Sequence, residues 1–161
     1  MEPRLNLSAS PIAGKAMKYI ASASRVIIAE STLPSATQHM VKLRASQING
    51  CGFCTDAHTK DLLHEGESPV RVSLVAAWRE SNVFTDAERA ALELTEQGTR
   101  VADAAGGVTD EAWAEAAKHY NDEELVALVL LISLINTSNR LGVICKIPGG
   151  DYQPGQFDAQ E

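Results

Sequence analysis

Apolar residues recur along this chain at spacings of three and four, interrupted by proline, glycine and short polar runs, a pattern that predicts successive amphipathic helices. Ser10-Pro11 offers an N-cap and a first-turn proline, and Ile12, Tyr19, Ile20, Val26 and Ile27 give the first helix an apolar side as far as about Glu30. After the break Thr32-Leu33-Pro34-Ser35, a second helix reaches to about Ile48. Met40, Val41, Ala45 and Ile48 lie on one face of it, and His39, Leu43 and Ser46 on another. Asn49-Gly50 ends that segment, and a third helix begins near Cys51 and stops at Gly66. Ser68-Pro69 opens a fourth, running through Trp78. Thr85-Asp86-Ala87-Glu88 is a capping box for a fifth helix toward Thr95, and Thr109 starts a sixth that carries Trp113 and ends near Tyr120. A second capping box, Asn121 to Glu124, leads into the run Leu125 to Ile135, apolar at every position but Ser133.

That last run predicts a helix buried on every side, since no polar stripe is left to face water. It falls short of the ~20 residues that a bilayer span needs. It also asks for more cover than six short helices supply, which points to assembly with further copies. No strand pattern is longer than Arg4–Leu7, so the predicted fold class is all-α. The expectation is a single-domain bundle of about six to seven helices over residues 1–161. Its polar tail, 148–161, is expected to be loosely ordered or to lie on a partner subunit.

Composition narrows the function. The chain has 161 residues, 45% of them hydrophobic, which suits a globular domain with a real core. A net charge of −7 with dispersed Lys and Arg argues against nucleic acid as a partner. Arg4, Lys15, Lys18 and Arg25 stand among serines near the N-terminus, but no unbroken apolar core of a secretory signal accompanies them. The segment reads as the first helix of a cytoplasmic protein without a membrane anchor. Phosphate loops, Gly-x-Ser-x-Gly elbows and His-Glu-x-x-His motifs do not occur in the sequence.

The chemistry concentrates in Cys51-Gly-Phe-Cys54-Thr-Asp-Ala-His58. On a helix the two cysteines and the histidine share one face, and the positive end of a helix start favours thiolate over thiol. Three readings fit this spacing. The pair can form a redox dithiol with His58 as proton acceptor. Cys51, Cys54 and His58 can bind zinc with His39 as fourth ligand, or all four residues can simply pack. Three cysteines make an odd count, against a framework of structural disulfides and in favour of a reducing compartment; Cys145 reads as a small buried hydrophobe. Asn136, Asn139 and Arg140 follow the apolar run, placed either to cross-link a packed interface or, for Arg140, to line the site.

The stretch from Met40 to Gly66, which holds this motif, resembles the core of the carboxymuconolactone decarboxylase superfamily, and more closely its alkylhydroperoxidase D-like branch. The resemblance continues through Ala76-Ala-Trp-Arg-Glu80 and Phe84-Thr-Asp-Ala-Glu-Arg-Ala-Ala-Leu92, and returns at Asn136-Thr-Ser-Asn-Arg-Leu141. It implies an all-helical homotrimer or homohexamer with thiol-dependent peroxidase activity and no metal or organic cofactor. It further implies that Cys54 attacks the peroxide, that Cys51 closes the disulfide and that His58 belongs to a proton relay. A lipoyl or thioredoxin-like dithiol donor would return the electrons. The relay glutamate of the family stands twelve residues before the first cysteine, where this chain has His39; Glu80 and Glu65 are the other acids considered for the site. The expected function is therefore an antioxidant peroxidase. The alternatives are a thiol–disulfide oxidoreductase with little peroxide turnover and a non-catalytic zinc-bound or oligomeric scaffold.

Overall fold

The computed structural model describes residues 2–103 and 106–156. Its helices are α1 (Pro11–Glu30), α2 (Ser35–Asn49), α3 (Gly52–His64), α4 (Pro69–Leu74), α5 (Asp86–Thr99), α6 (Asp110–His119) and α7 (Asp122–Cys145). No strand occurs among the described residues, in keeping with the all-α expectation, and Arg4–Leu7 leads into a 3₁₀ turn at Leu7–Ala9. Local chemistry sets the boundaries as expected. The Ser10 hydroxyl caps α1, and both capping boxes form, with Thr85 and Glu88 closing α5 and Asn121 and Glu124 closing α7. The predicted fourth helix is divided, because Ala77 leaves helical geometry (φ −125, ψ 33) within a 3₁₀ segment over Val75–Glu80. The fifth and seventh helices run past their expected ends, to Thr99 and Cys145, where neither proline nor glycine stops them.

The core lies where α2 crosses α3, α5 and α7. Val41, Leu94, Leu128 and Leu131 pack in one cluster, and Met40, Leu43, Leu62, Val75 and Leu92 in a second. In the single chain Val126 is 53% exposed and Leu130 44% exposed on α7, the helix for which the sequence expects added cover from further copies. The helix is 24 residues long, so by length and composition it can cross a membrane, contrary to the estimate from its apolar run alone. Its other face packs on α1, α2, α3, α5 and α6, at the centre of the bundle. The helix hidden on nearly all sides is α2, although it carries Thr37, Gln38, Lys42 and Ser46 among its buried residues. On α1 only Ile27 is buried, while Ile12, at 82% exposure, and Tyr19 face outward.

The tail is also corrected as far as it is described. Residues 150–155 turn back over α3, with Tyr152 buried and Lys60 donating hydrogen bonds to the Gly150 and Tyr152 carbonyls at 2.8 and 3.0 Å. Asp56 accepts from the Gly150 N–H at 2.7 Å. Residues 157–161, the remainder of the expected tail, lie outside the described residues.

A charged knot ties α2 and α5 to the 3₁₀ segment. Glu96 is buried and accepts from Arg44 (2.6 and 2.8 Å), the Trp78 indole N–H (2.8 Å) and Arg79 (2.6 Å). Burial alone pushes its carboxyl up, but the donors from Arg79, Trp78 and Arg44 together outweigh that and bring it down to about 2. In the folded state the carboxyl binds its proton more weakly than in the unfolded chain. Stability from this knot is therefore present above pH 4.5 and is lost as pH falls from about 4.5 through about 2. Glu96→Gln should destabilise the protein by about 3 kcal/mol in urea denaturation at neutral pH, because two guanidiniums lose a buried counter-charge. The deficit against the parent should narrow at acid pH.

Candidate active site

Gly50 ends α2 in the left-handed conformation (φ 68), which a glycine adopts without strain. The Cys51 N–H then reaches back to the Ser46 carbonyl at 3.0 Å, and Cys51 itself becomes the N-cap of α3. Its sulfur accepts the Cys54 backbone N–H at 3.4 Å, doing with a thiol what serine usually does with a hydroxyl. The two sulfurs lie 2.7 Å apart, so only a small movement separates them from disulfide bonding. Across the site, α7 passes at Gly142, where a Cβ would stand 2.7 Å from the Cys51 sulfur. Only a residue without a side chain permits that approach. Asn139, one turn earlier, lowers both thiols, donates to the Ser46 hydroxyl at 3.0 Å and accepts from Asn49 at 2.9 Å.

These contacts divide the charge between the thiols. Cys51 comes down to about 7, chiefly through a hydrogen bond from the Cys54 thiol, helped by backbone N–H groups of the helix start and Asn139 and opposed by burial. Cys54 moves up, because its proton is held against the Cys51 sulfur and because it is buried. The thiolate is thus favoured on Cys51, although the resemblance makes Cys54 the attacking sulfur. The reason is geometric: the Cys54 N–H of the helix start points at the Cys51 sulfur, and the Cys54 thiol donates to it. Cys54 remains the more open of the two, at 6% exposure against 1%.

His58 is buried one turn beyond Cys54, and the His39 ring lies beside it with centroids 5.6 Å apart. The structure therefore brings His39, from α2, against His58, and Cys51 against Cys54, with His58 one turn along α3 from the second sulfur. Burial, the Lys42 charge and His39 hold His58 well below the usual imidazole range; burial and Lys42 bring His39 down to about 4. Both rings are neutral at physiological pH. Glu80 is exposed on the 3₁₀ segment, while Glu65 stands 3.4 Å from His39 Nε2.

The acid that sequence reading overlooked is Asp61. Its Oδ2 lies 4.0 Å from His58 Nδ1 and 3.8 Å from His39 Nδ1, and the Tyr152 hydroxyl donates to its two oxygens at 2.9 and 3.1 Å. Spacing held a signal for it, since Asp61 follows His58 by three positions on the same helical face. Lys42 was missed for want of any such signal, as lysines are rarely buried. Arg140 does not line the site; it is exposed and donates to Asn136 on its own helix at 3.1 and 3.2 Å. Cys145 is a buried thiol at the end of α7, as expected.

Residues 14–97 match the model of the carboxymuconolactone decarboxylase family. The uncharacterized protein YdfG of Bacillus subtilis (strain 168) is 39% identical over 114 residues, which cover 71% of this chain and 76% of YdfG. Among solved structures, a protein of unknown function from Agrobacterium tumefaciens, ATU0492, described provisionally as an antioxidant defence protein AhpD, superposes with a TM-score of 0.85 at 36% identity. The match covers 94% of this chain and 100% of that one. The debrominase Bmp8 shares the fold with a TM-score of 0.75 at 18% identity, over 86% of this chain and 74% of its own.

Thiolate ultraviolet absorbance should rise in the reduced protein with a midpoint near pH 7, and the step should vanish in Cys51→Ser. In Cys54→Ala, which removes the largest stabilising donor, the midpoint should climb toward the ordinary thiol value.

Proposed function

The chain belongs to the carboxymuconolactone decarboxylase family and has the AhpD-like fold, and on that premise we propose that it is a thiol-dependent peroxidase working through the Cys51–Cys54 dithiol. The observation that carries this reading is the pair itself: two buried sulfurs 2.7 Å apart at the start of the helix that carries His58. The provisional antioxidant role of ATU0492, 36% identical, lends support.

In the proposed cycle Cys54, the more accessible sulfur, passes its proton to the Cys51 thiolate as it attacks one peroxide oxygen. The O–O bond breaks, the alkoxide takes that proton from Cys51 by way of His58 and leaves as alcohol, and Cys54 becomes a sulfenic acid. Cys51, again a thiolate, attacks that sulfur and hydroxide departs as water with a proton from solvent, so that a thiol, a thiolate, a proton and one hydroperoxide become a disulfide, an alcohol and a water. His58, neutral and next to Asp61, takes and returns the proton, and His39 stands against it where the family has its relay glutamate. A lipoyl or thioredoxin-like dithiol reduces the disulfide by exchange.

A homotrimer or homohexamer belongs to the same proposal. The open face of α7 (Val126, Val129, Leu130) and the outward apolar side of α1 (Ile12, Tyr19) are large hydrophobic surfaces that further copies of this chain would cover. If so, Leu130→Glu should shift the mass measured by light scattering toward the monomer, with the helix content in circular dichroism retained.

Mass mapping after one equivalent of peroxide should find Cys51 joined to Cys54 and Cys145 still a thiol. Cys54→Ser should abolish peroxide consumption and Cys51→Ser should leave a single sulfenic-acid turnover. The opposite pattern would make Cys51 the attacking sulfur, and intact thiols after peroxide would overturn the peroxidase reading.

A further inference from the structure

Beyond the thiols the site holds a second constellation. The Nδ1 atoms of His39 and His58 are both shut off from solvent and without a hydrogen-bond partner, and both face Asp61 Oδ2, at 3.8 and 4.0 Å. One ligand atom from each of the three residues falls within 4.8 Å of the others. A buried nitrogen left without a partner is costly, and here two of them converge on the same point.

The surroundings orient two of the three groups. Glu65 Oε1, 3.4 Å from His39 Nε2, favours the tautomer with its proton on Nε2 and leaves the Nδ1 lone pair directed inward. Ser35 donates to that same Glu65 oxygen at 2.6 Å, fixing it. Asp61 is held by the Tyr152 hydroxyl and by the Gly155 N–H at 3.3 Å. His39 and Asp61 thus each have an outer partner, as in carboxylate–histidine–metal arrangements. Lys42 opposes a cation from the α2 side, and the carboxylates of Asp61 and Glu65 offset it.

We propose that His39 Nδ1, His58 Nδ1 and Asp61 Oδ2 bind one first-row divalent transition metal of the zinc class, apart from the cysteines, with water completing the coordination. Two imidazoles and a carboxylate form a donor set that zinc, cobalt and iron accept. Tetrahedral bonds of about 2.0–2.1 Å set ligand atoms about 3.4 Å apart, so the rings need only a small inward turn. The site differs from the zinc centre considered in sequence, since Asp61 replaces both thiolates. It is independent of the peroxidase reading, because its ligands are present whether or not the dithiol turns over peroxide.

The probe is Co²⁺, titrated near neutral pH into the full chain in its reduced form, in its peroxide-oxidised form and as the Cys51→Ser/Cys54→Ser variant, with binding read by calorimetry and by visible absorption. One equivalent should bind in all three, with ligand-field bands and no thiolate-to-cobalt charge transfer, and Zn²⁺ should displace it. Asp61→Asn and His39→Ala should weaken binding at least tenfold, and Tyr152→Phe, which leaves all three ligands in place, by about tenfold. Absence of saturable binding would overturn the proposal. So would charge-transfer bands that disappear with the cysteines, or an affinity unchanged in both Asp61→Asn and Tyr152→Phe. Peroxide consumption, measured separately on metal-free protein, decides the peroxidase reading by itself.

Discussion

The site depends on Cys51 serving as the cap of α3. A helix start presents N–H groups that must find acceptors, and here the first acceptor is a sulfur. The arrangement joins folding to reactivity: the donors that close the helix also stabilise negative charge on the thiol they use. Gly50 makes it possible, because a left-handed turn between α2 and α3 brings Cys51 into the capping position directly after the preceding helix ends. The second sulfur, one turn in, then has nowhere better to place its proton than on the first.

What holds α3 in register is a polar seam. Asn49 donates to Asn136 and Asn139, both at 2.9 Å, and Asn139 donates to Ser46. The Asn136 amide donates in turn to the Thr99 hydroxyl at 3.1 Å, which brings in α5. Amides in a dry interior bind only in specific geometries, so the seam fixes the position of α7 along α2 in a way that leucines would not. That register puts Gly142 against the Cys51 sulfur. The Glu96 knot secures the opposite side of α2, so the helix carrying His39 and Lys42 is held from both ends of the bundle.

The histidines owe their state to the same packing. A buried ring next to a lysine and a second imidazole resists protonation, so both stay neutral at physiological pH and keep a lone pair available. With Asp61 fixed by Tyr152, the returning tail becomes part of the site it covers. The Bmp8 comparison marks the limit of what the fold decides: a debrominase is built on the same helices, and the reaction rests on the side chains between them.

The sequence by itself determined the helices, because their signals are local. Ser10-Pro11, Ser68-Pro69 and the capping boxes at Thr85 and Asn121 start elements wherever they occur, and the Cys51–Cys54–His58 spacing puts three reactive groups on one face of any helix. Tertiary structure decided the rest. Spacing puts Asp61 on the face of His58, but only Tyr152 folding back over α3 fixes it there, and nothing in α2 reveals that Lys42 is buried. Composition ranked α7 as the most hidden helix, yet α2 is, because burial follows from how many neighbours surround an element and not from how apolar it is. The location of the thiolate was decided in the same way. Spacing places both sulfurs near a helix start, but only the folded turn shows which of them receives the N–H.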